Sequence, residues 1–124
     1  QHALMNLYVI SQPVADFERW LERQRGEQSQ PETGQLNKGY DAFMANGCAN
    51  CHAIRGTSAR GQYGPDLTHF GSRRTIATIL DNNIANRQAW IVSAQHLKPE
   101  NKMGNYEMDG ETLHALAAYL GSLE

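Results

Sequence analysis

Apolar and polar positions along this chain fall into three textures. Residues 4–10, Leu-Met-Asn-Leu-Tyr-Val-Ile, have the β-branched and aromatic make-up of a single strand. Pro13 then opens a short predicted helix, with Val14, Phe17 and Leu21 along one side and Glu18, Glu22 and Arg23 along the other. From 24 to 37 the chain turns polar, with Gly26, Pro31 and Gly34 among Gln, Glu, Ser and Thr, which is the composition of a linker. A lone strand and one helix cannot bury a core of their own. Residues 1–25 therefore read as the end of another domain, residues 26–36 as a linker and residues 37–124 as a second body.

In that second body, residues 38–46 suit a helix ended by Gly47, at the position where a left-handed residue is wanted. Ser72 is placed to cap another helix, with Ile76, Ile79, Leu80 and Ile84 as its inward stripe and the Arg73-Arg74 pair on its solvent side. A shorter helix is predicted over 87–94. Asp109 reads as the N-cap of the last helix, with Glu111 in the first turn where the dipole favours an anion. Leu113, Leu116, Ala117 and Leu120 then recur at helical spacing. No strand pattern stands out, so the body is predicted to be all-α and small. Its long Gly- and Pro-punctuated loops need something other than secondary structure to hold them, and a large apolar cofactor would do so.

Composition narrows the function. The sequence has 40% hydrophobic and 19% charged residues, the balance of a globular chain. Lys and Arg total 11 against 13 Asp and Glu, a formal charge of −2, which argues against nucleic acid as a partner. No apolar run approaches the roughly 20 residues that would span a bilayer. Gln1 is not followed by a charged n-region and an apolar h-region. The chain is therefore expected to be a processed or excised piece whose anchor or export signal lies upstream.

Both cysteines sit in Cys48-Ala-Asn-Cys51-His52, the attachment signature of a c-type haem. The two thiols add across the two vinyl groups of one porphyrin edge, and the adjacent imidazole reaches the iron. Three other readings compete. Structural zinc would want a second Cys pair, and no other cysteine exists. A thioredoxin-like pair would need a βαβ setting. A plain disulfide would leave His52 without a purpose. Haem attachment takes place outside the cytoplasm, so an extracytoplasmic, periplasmic location is expected. The second axial ligand is sought among Met44, Met103, Met108, His69, His96 and His114. Met44 is too close to Cys48 to reach the opposite face, and His114 lies within the last helix. Met103 sits in a Pro99-stiffened loop and is favoured; Met108, just before the Asp109 cap, comes next, then His69 or His96. A His52–Met103 pair favours the ferrous state relative to two histidines and fills both axial positions. That is electron-transfer chemistry rather than catalysis, and the domain is not expected to be an enzyme.

Residues 36–124 resemble class I cytochrome c. Gly39 and Phe43 fit the family's first-helix pair, which crosses the last helix at positions matching Leu116 and Tyr119. Gly64-Pro65-Asp66-Leu67 resembles the stretch whose proline carbonyl accepts the proximal imidazole N–H. Residues 98–103 resemble the Met-ligand loop, departing at Glu100, where glycine is usual, and at Gly104, where proline often follows. The resemblance implies that Trp90 covers the haem. Arg55 would pair with a propionate or be solvated, and Asn101 and Lys102 would bond a propionate or place charge at the haem edge.

The N-terminal piece is similar to the end of subunit II of haem–copper oxidases. There a His and a Met three residues later, matched by His2 and Met5, ligate a binuclear copper centre. The order of copper (cupredoxin) domain, linker and cytochrome resembles caa-type cytochrome c oxidases. The resemblance implies electron entry from a soluble redox protein or reductase complex and exit to the copper domain of the same subunit. Membrane association would come only through the parent complex. The residue 24–37 linker would leave the haem domain mobile enough to meet both partners, with the acceptor at millimolar effective concentration. His2 and Met5 alone would hold no copper. Two rivals remain: a free-standing cytochrome carrier, and a haem enzyme or gas sensor with a labile sixth ligand.

Overall fold

The protein is described by a computed structural model over residues 7–31 and 34–124. Helix α1 (Val14–Arg25) follows Pro13, whose φ of −54° already suits helix entry. Asp16 in its first turn and Arg23 and Arg25 in its last complement the dipole. No residue of α1 is buried, and Phe17 and Trp20 pack on each other with centroids 5.7 Å apart. The strand predicted over 4–10 is absent from its described part: residues 7–10 pair with no neighbouring strand. Such a segment needs a partner ladder to become a strand. Residues 4–6 and His2 lie outside the described residues.

Helix α2 (Gly34–Ala45) starts before the predicted residue 38. Gln35 and Asn37, linker-like by polarity, belong to its outer face, and Asn37 Nδ2 donates to Asp41 Oδ2 one turn on at 3.1 Å. Gly39, Tyr40, Ala42 and Phe43 face inward. Past the helix end Gly47 takes φ +72° and the chain enters a 3₁₀ turn, Cys48–Asn50.

The helix predicted after Ser72 does not form. In its place β1 (Thr75–Ile76) and β2 (Leu80–Asp81) make a small antiparallel hairpin, pairing Thr75 with Asp81 and Ile76 with Leu80. Ala77 and Thr78 both have positive φ, and Ile79 N–H closes the turn on Ile76 O at 3.1 Å. Asn82 explains why the hairpin wins. Its side-chain amide donates to Phe70 O at 2.7 Å and Arg73 O at 2.9 Å, and its N–H donates to Arg74 O at 2.9 Å. The Arg73 and Arg74 carbonyls are ones that a helix capped by Ser72 would have used internally. The Ser72 hydroxyl donates back to His69 O at 3.0 Å instead of capping.

Helix α3 (Ile84–Leu97) outruns the predicted 87–94 because Asn83 caps it, accepting from Asn86 N–H at 2.9 Å. Helix α4 (Gly110–Ser122) is capped by Asp109 Oδ1, which accepts from Thr112 N–H at 3.0 Å. The all-α reading of residues 37–124 thus holds, apart from the hairpin. No described helix is long and apolar enough to cross a membrane.

The core forms where α2 crosses α4. A Cβ placed on Gly39 would lie 2.2 Å from Ala115 O and 2.5 Å from Tyr119 Cβ, so only glycine permits this approach. Around the crossing pack Phe43, Leu116 and Tyr119, each 1% exposed, with Ile54 and Leu123. Tyr119 meets Tyr40 edge-on at 5.7 Å. Its hydroxyl is buried with no partner among the described residues, and burial, with Tyr40 nearby, pushes its pKa up to about 12.

Two outcomes follow. Gly39→Ala forces α2 off α4 and should lower the unfolding free energy by about 1–3 kcal/mol, the usual overpacking range, measured by denaturant titration. Tyr119 stays neutral in the folded chain while the unfolded phenol ionises near pH 10. Its contribution is therefore whole below that pH and fades as pH rises towards about 12. Tyr119→Phe should be neutral or mildly stabilising at pH 7 and should make the alkaline loss of stability shallower; a steeper loss would contradict this.

Candidate functional site

The segment from 47 to 52 is built by local hydrogen bonds. Asn50 N–H donates to Gly47 O at 3.0 Å, and Cys51 and His52 N–H groups both donate to Cys48 O, at 3.1 and 2.9 Å. This tight turn sets the two free thiols one turn apart, Cys48 partly buried and Cys51 exposed. Burial pushes the Cys48 thiol pKa up, and Cys51 beside it adds to the rise.

Residues 61–65 wrap this turn with backbone. Gly64 N–H donates to Cys51 O at 2.7 Å. A Cβ on Gly61 would lie 2.3 Å from the Cys51 carbonyl carbon, and one on Gly64 would lie 2.5 Å from His52 Cε1. Main chain therefore lies flat against the imidazole, where a side chain would tilt it. His52 Nδ1 sits 2.8 Å from the carbonyl oxygen of the exposed Pro65. A carbonyl only accepts, so Nδ1 carries the ring proton and Nε2 keeps its lone pair free for a metal.

A second cluster gathers at Met103. Trp90 Nε1–H points at Met103 Sδ, 3.2 Å away. Asn101 organises the loop: its amide donates to Ala94 O at 2.8 Å and Lys98 O at 2.6 Å, and its Oδ1 accepts Met103 N–H at 2.8 Å. Asn101, expected at the haem edge, thus ties its own loop to the end of α3. A kink in α3 at Ser93 (φ −143°, ψ 31°) makes room for this. Gln95 N–H, released from the helix ladder, donates to Asn105 Oδ1 at 3.0 Å, while Ile91 O accepts Tyr106 N–H at 3.1 Å. Gln95 Nε2 also donates to Met103 O and Asn101 O, at 2.6 and 2.7 Å. Burial raises the Tyr106 phenol pKa, and proximity to Cys48 and Cys51 adds to it.

Arg55 is committed elsewhere. Its guanidinium donates to Gln24 O at 2.7 Å and approaches Asp66 at 4.0 Å. His69, a reserve axial ligand, has its Nε2 3.0 Å from Arg55 Nη2; His96 and His114 are exposed, and Met108 packs against the core. Sequence reasoning missed Gly61, Gln95, Asn105 and Tyr106. The glycine pair flanking the Pro65 stretch was the available signal for Gly61. Nothing in the sequence announced the kink that recruits the other three.

This donor set fits haem c: two free thiols one turn apart, an imidazole with Nε2 free, a thioether held on an organised loop, and a rim of half-buried apolar side chains. Ala49, Leu80, Trp90, Tyr106, Met108 and Leu113 abut the core without being covered by it. A zinc site fits poorly, since no three His, Cys, Asp or Glu side chains cluster for a metal among the described residues.

Comparison with known proteins agrees with this geometry. Over 124 residues the chain is 40% identical to cytochrome c oxidase subunit 2 of Alkalihalophilus pseudofirmus. The proteins of that name from Bacillus subtilis and Bacillus sp. (strain PS3) are 32% and 33% identical over 129 and 128 residues. Each match takes in 99% of this chain, α1 included, and the chain spans 36% of each relative's length. The family model for cytochrome c matches residues 36–124, from α2 through the Cys48–His52 turn and the Met103 loop to the end of α4, and the chain belongs to the cytochrome c family.

Proposed function

We propose that this chain holds one haem c covalently through Cys48 and Cys51, with His52 and Met103 as axial ligands, and carries single electrons. It takes them from a soluble redox protein or reductase complex and passes them to the binuclear copper centre of an oxidase subunit II, on the extracytoplasmic face of the membrane. In this reading residues 1–25 belong to the copper domain and residues 37–124 carry the haem, joined by 26–36. The observation that carries the proposal is the His52–Pro65 pair at 2.8 Å, directly beside two free thiols. The relatives named as oxidase subunit 2, similar through α1 as well as the haem-binding body, support the oxidase context.

Haem supplies a reversible one-electron couple whose potential follows its axial ligands and surroundings. The chain's own residues do the rest. The Pro65 carbonyl keeps the imidazole proton on Nδ1, and Gly64 keeps the ring plane fixed. Asn101 and Gln95 hold the Met103 loop in one shape, and Trp90 N–H steadies the sulfur. The half-buried apolar rim keeps water from the crevice, which favours the less charged ferrous state. With His52 and Met103 both holding the iron, the chain would leave no place on it for oxygen or peroxide, and the domain would transfer electrons without catalysing a reaction of its own.

Acid–organic extraction should leave haem on the polypeptide, and Cys51→Ala should weaken or prevent maturation; quantitative extraction of haem would sink the covalent assignment. The oxidised protein should show the weak far-red sulfur-to-iron band. Met103→Ala should abolish it, with a lowered reduction potential, and Met108→Ala should keep it. The reverse pattern would move the ligand to Met108.

A further inference from the structure

Residues 24–28, part of the stretch that composition marks as a tether, lie against the haem-binding domain in detail. A helix leaves its last carbonyls without intrahelical donors. Arg55 supplies them to α1: Nη2 donates to Gln24 O at 2.7 Å and Nη1 to Arg25 O at 3.4 Å. Gln28 returns the contact, its N–H donating to Arg55 O at 2.9 Å and its side-chain amide to Glu124 O at 2.7 Å. The crossing point demands glycine twice over. Gly56 has φ +86°, and a Cβ there would lie 2.0 Å from Gln28 O. His69 Nε2 joins the same corner, 3.0 Å from Arg55 Nη2 and 3.2 Å from Gln24 O. Further along, the Arg74 guanidinium stands over the Tyr8 ring at 5.3 Å.

The other end of this segment is unlike the first. Leu7, Val9 and Val14 are 78%, 88% and 73% exposed, a run of apolar side chains that the haem-binding domain leaves uncovered. One end is therefore held by hydrogen bonds to the haem-binding domain, and the other offers an apolar face suited to the copper domain of the proposed function.

We propose that Arg55 and Gly56 clasp the end of α1 to the haem-binding domain, so that the domain meets its copper-bearing neighbour from one fixed side instead of roaming on a flexible tether. Arg55 is a positioning residue in this scheme. The clasp is a property of this chain, while its redox purpose rests on the function proposed above. The Met103 loop, built on α3, takes no part in these hydrogen bonds and stays available to a donor.

The test is backbone ¹⁵N relaxation on the haem-loaded 124-residue chain. Amides of residues 14–28 should show order parameters of about 0.85, like those of a rigid domain. Arg55→Ala should drop them below about 0.6, the flexible range, while the domain amides and the far-red band stay unchanged. Arg55→Lys, lacking the planar fork, should rescue only part of the order. Gly56→Val should release the segment with Arg55 intact. If Arg55→Ala also loosens the domain itself, Gln28→Pro decides, because it removes both Gln28 donations from the segment alone. Wild-type order parameters below about 0.6 over 24–28, or values untouched by Gln28→Pro and Gly56→Val, would overturn the clasp. Failure of the haem assignment shows separately, as an absent band with segment order intact.

Discussion

A crossing with no side chain in it is the contact on which the rest of this molecule is hung. Where α2 passes α4 at Gly39, backbone meets backbone, and Phe43, Leu116 and Tyr119 close around the gap. Helices this near leave little freedom of angle, since a shift of either one drives Gly39 into Ala115 O. The Cys48–Asn50 turn follows α2 almost at once, so the crossing also aims the thiols. The long loop that follows is fastened to the end of the chain by Gly71 N–H donating to Leu123 O at 2.6 Å. Loops without secondary structure of their own are thereby held between two fixed points.

Backbone, more than side chains, shapes the site. Around His52 the work falls to one carbonyl and two glycines, a surface with no rotamers to sample. On the Met103 side a helix gives up one internal bond at Ser93 and gains two to the loop, from Gln95 N–H and to Ile91 O. Trading a local bond for non-local ones converts a helix defect into an anchor. A thioether held this way is restrained by the fold as a whole, so a change far from the sulfur is felt there.

Legibility in the sequence followed how local each determinant was. The Cys48-x-x-Cys51-His52 turn, the Gly47 left-handed stop and the Asp109 cap each lie within a few residues, and all could be read directly. The helical stripe of α4 was also legible, because Leu116, Ala117 and Leu120 need only a common inner side. The 72–84 stretch misled because Ile76, Ile79, Leu80 and Ile84 match helical spacing by chance. The decision lay with Asn82, whose amide gathers carbonyls from several residues back. The backbone partners of Arg55 and Asn101, Gln24 O for the first and Ala94 O and Lys98 O for the second, were not legible. A polar side chain's partner, unlike its helix, cannot be read from its neighbours.

The attachment turn has one more property, which concerns time. The bonds that shape the turn itself stay within a few residues: Asn50 N–H to Gly47 O, and Cys51 and His52 N–H to Cys48 O. Contacts of such short range form on the scale of a single loop closure, whereas the α2–α4 crossing must wait for nearly the whole domain to be made and brought together. The turn's own bonds can therefore close in a chain whose α2–α4 crossing has not yet formed. Under the proposed function, haem would be added to such an open chain and would then act as a template around which the remaining loops collapse.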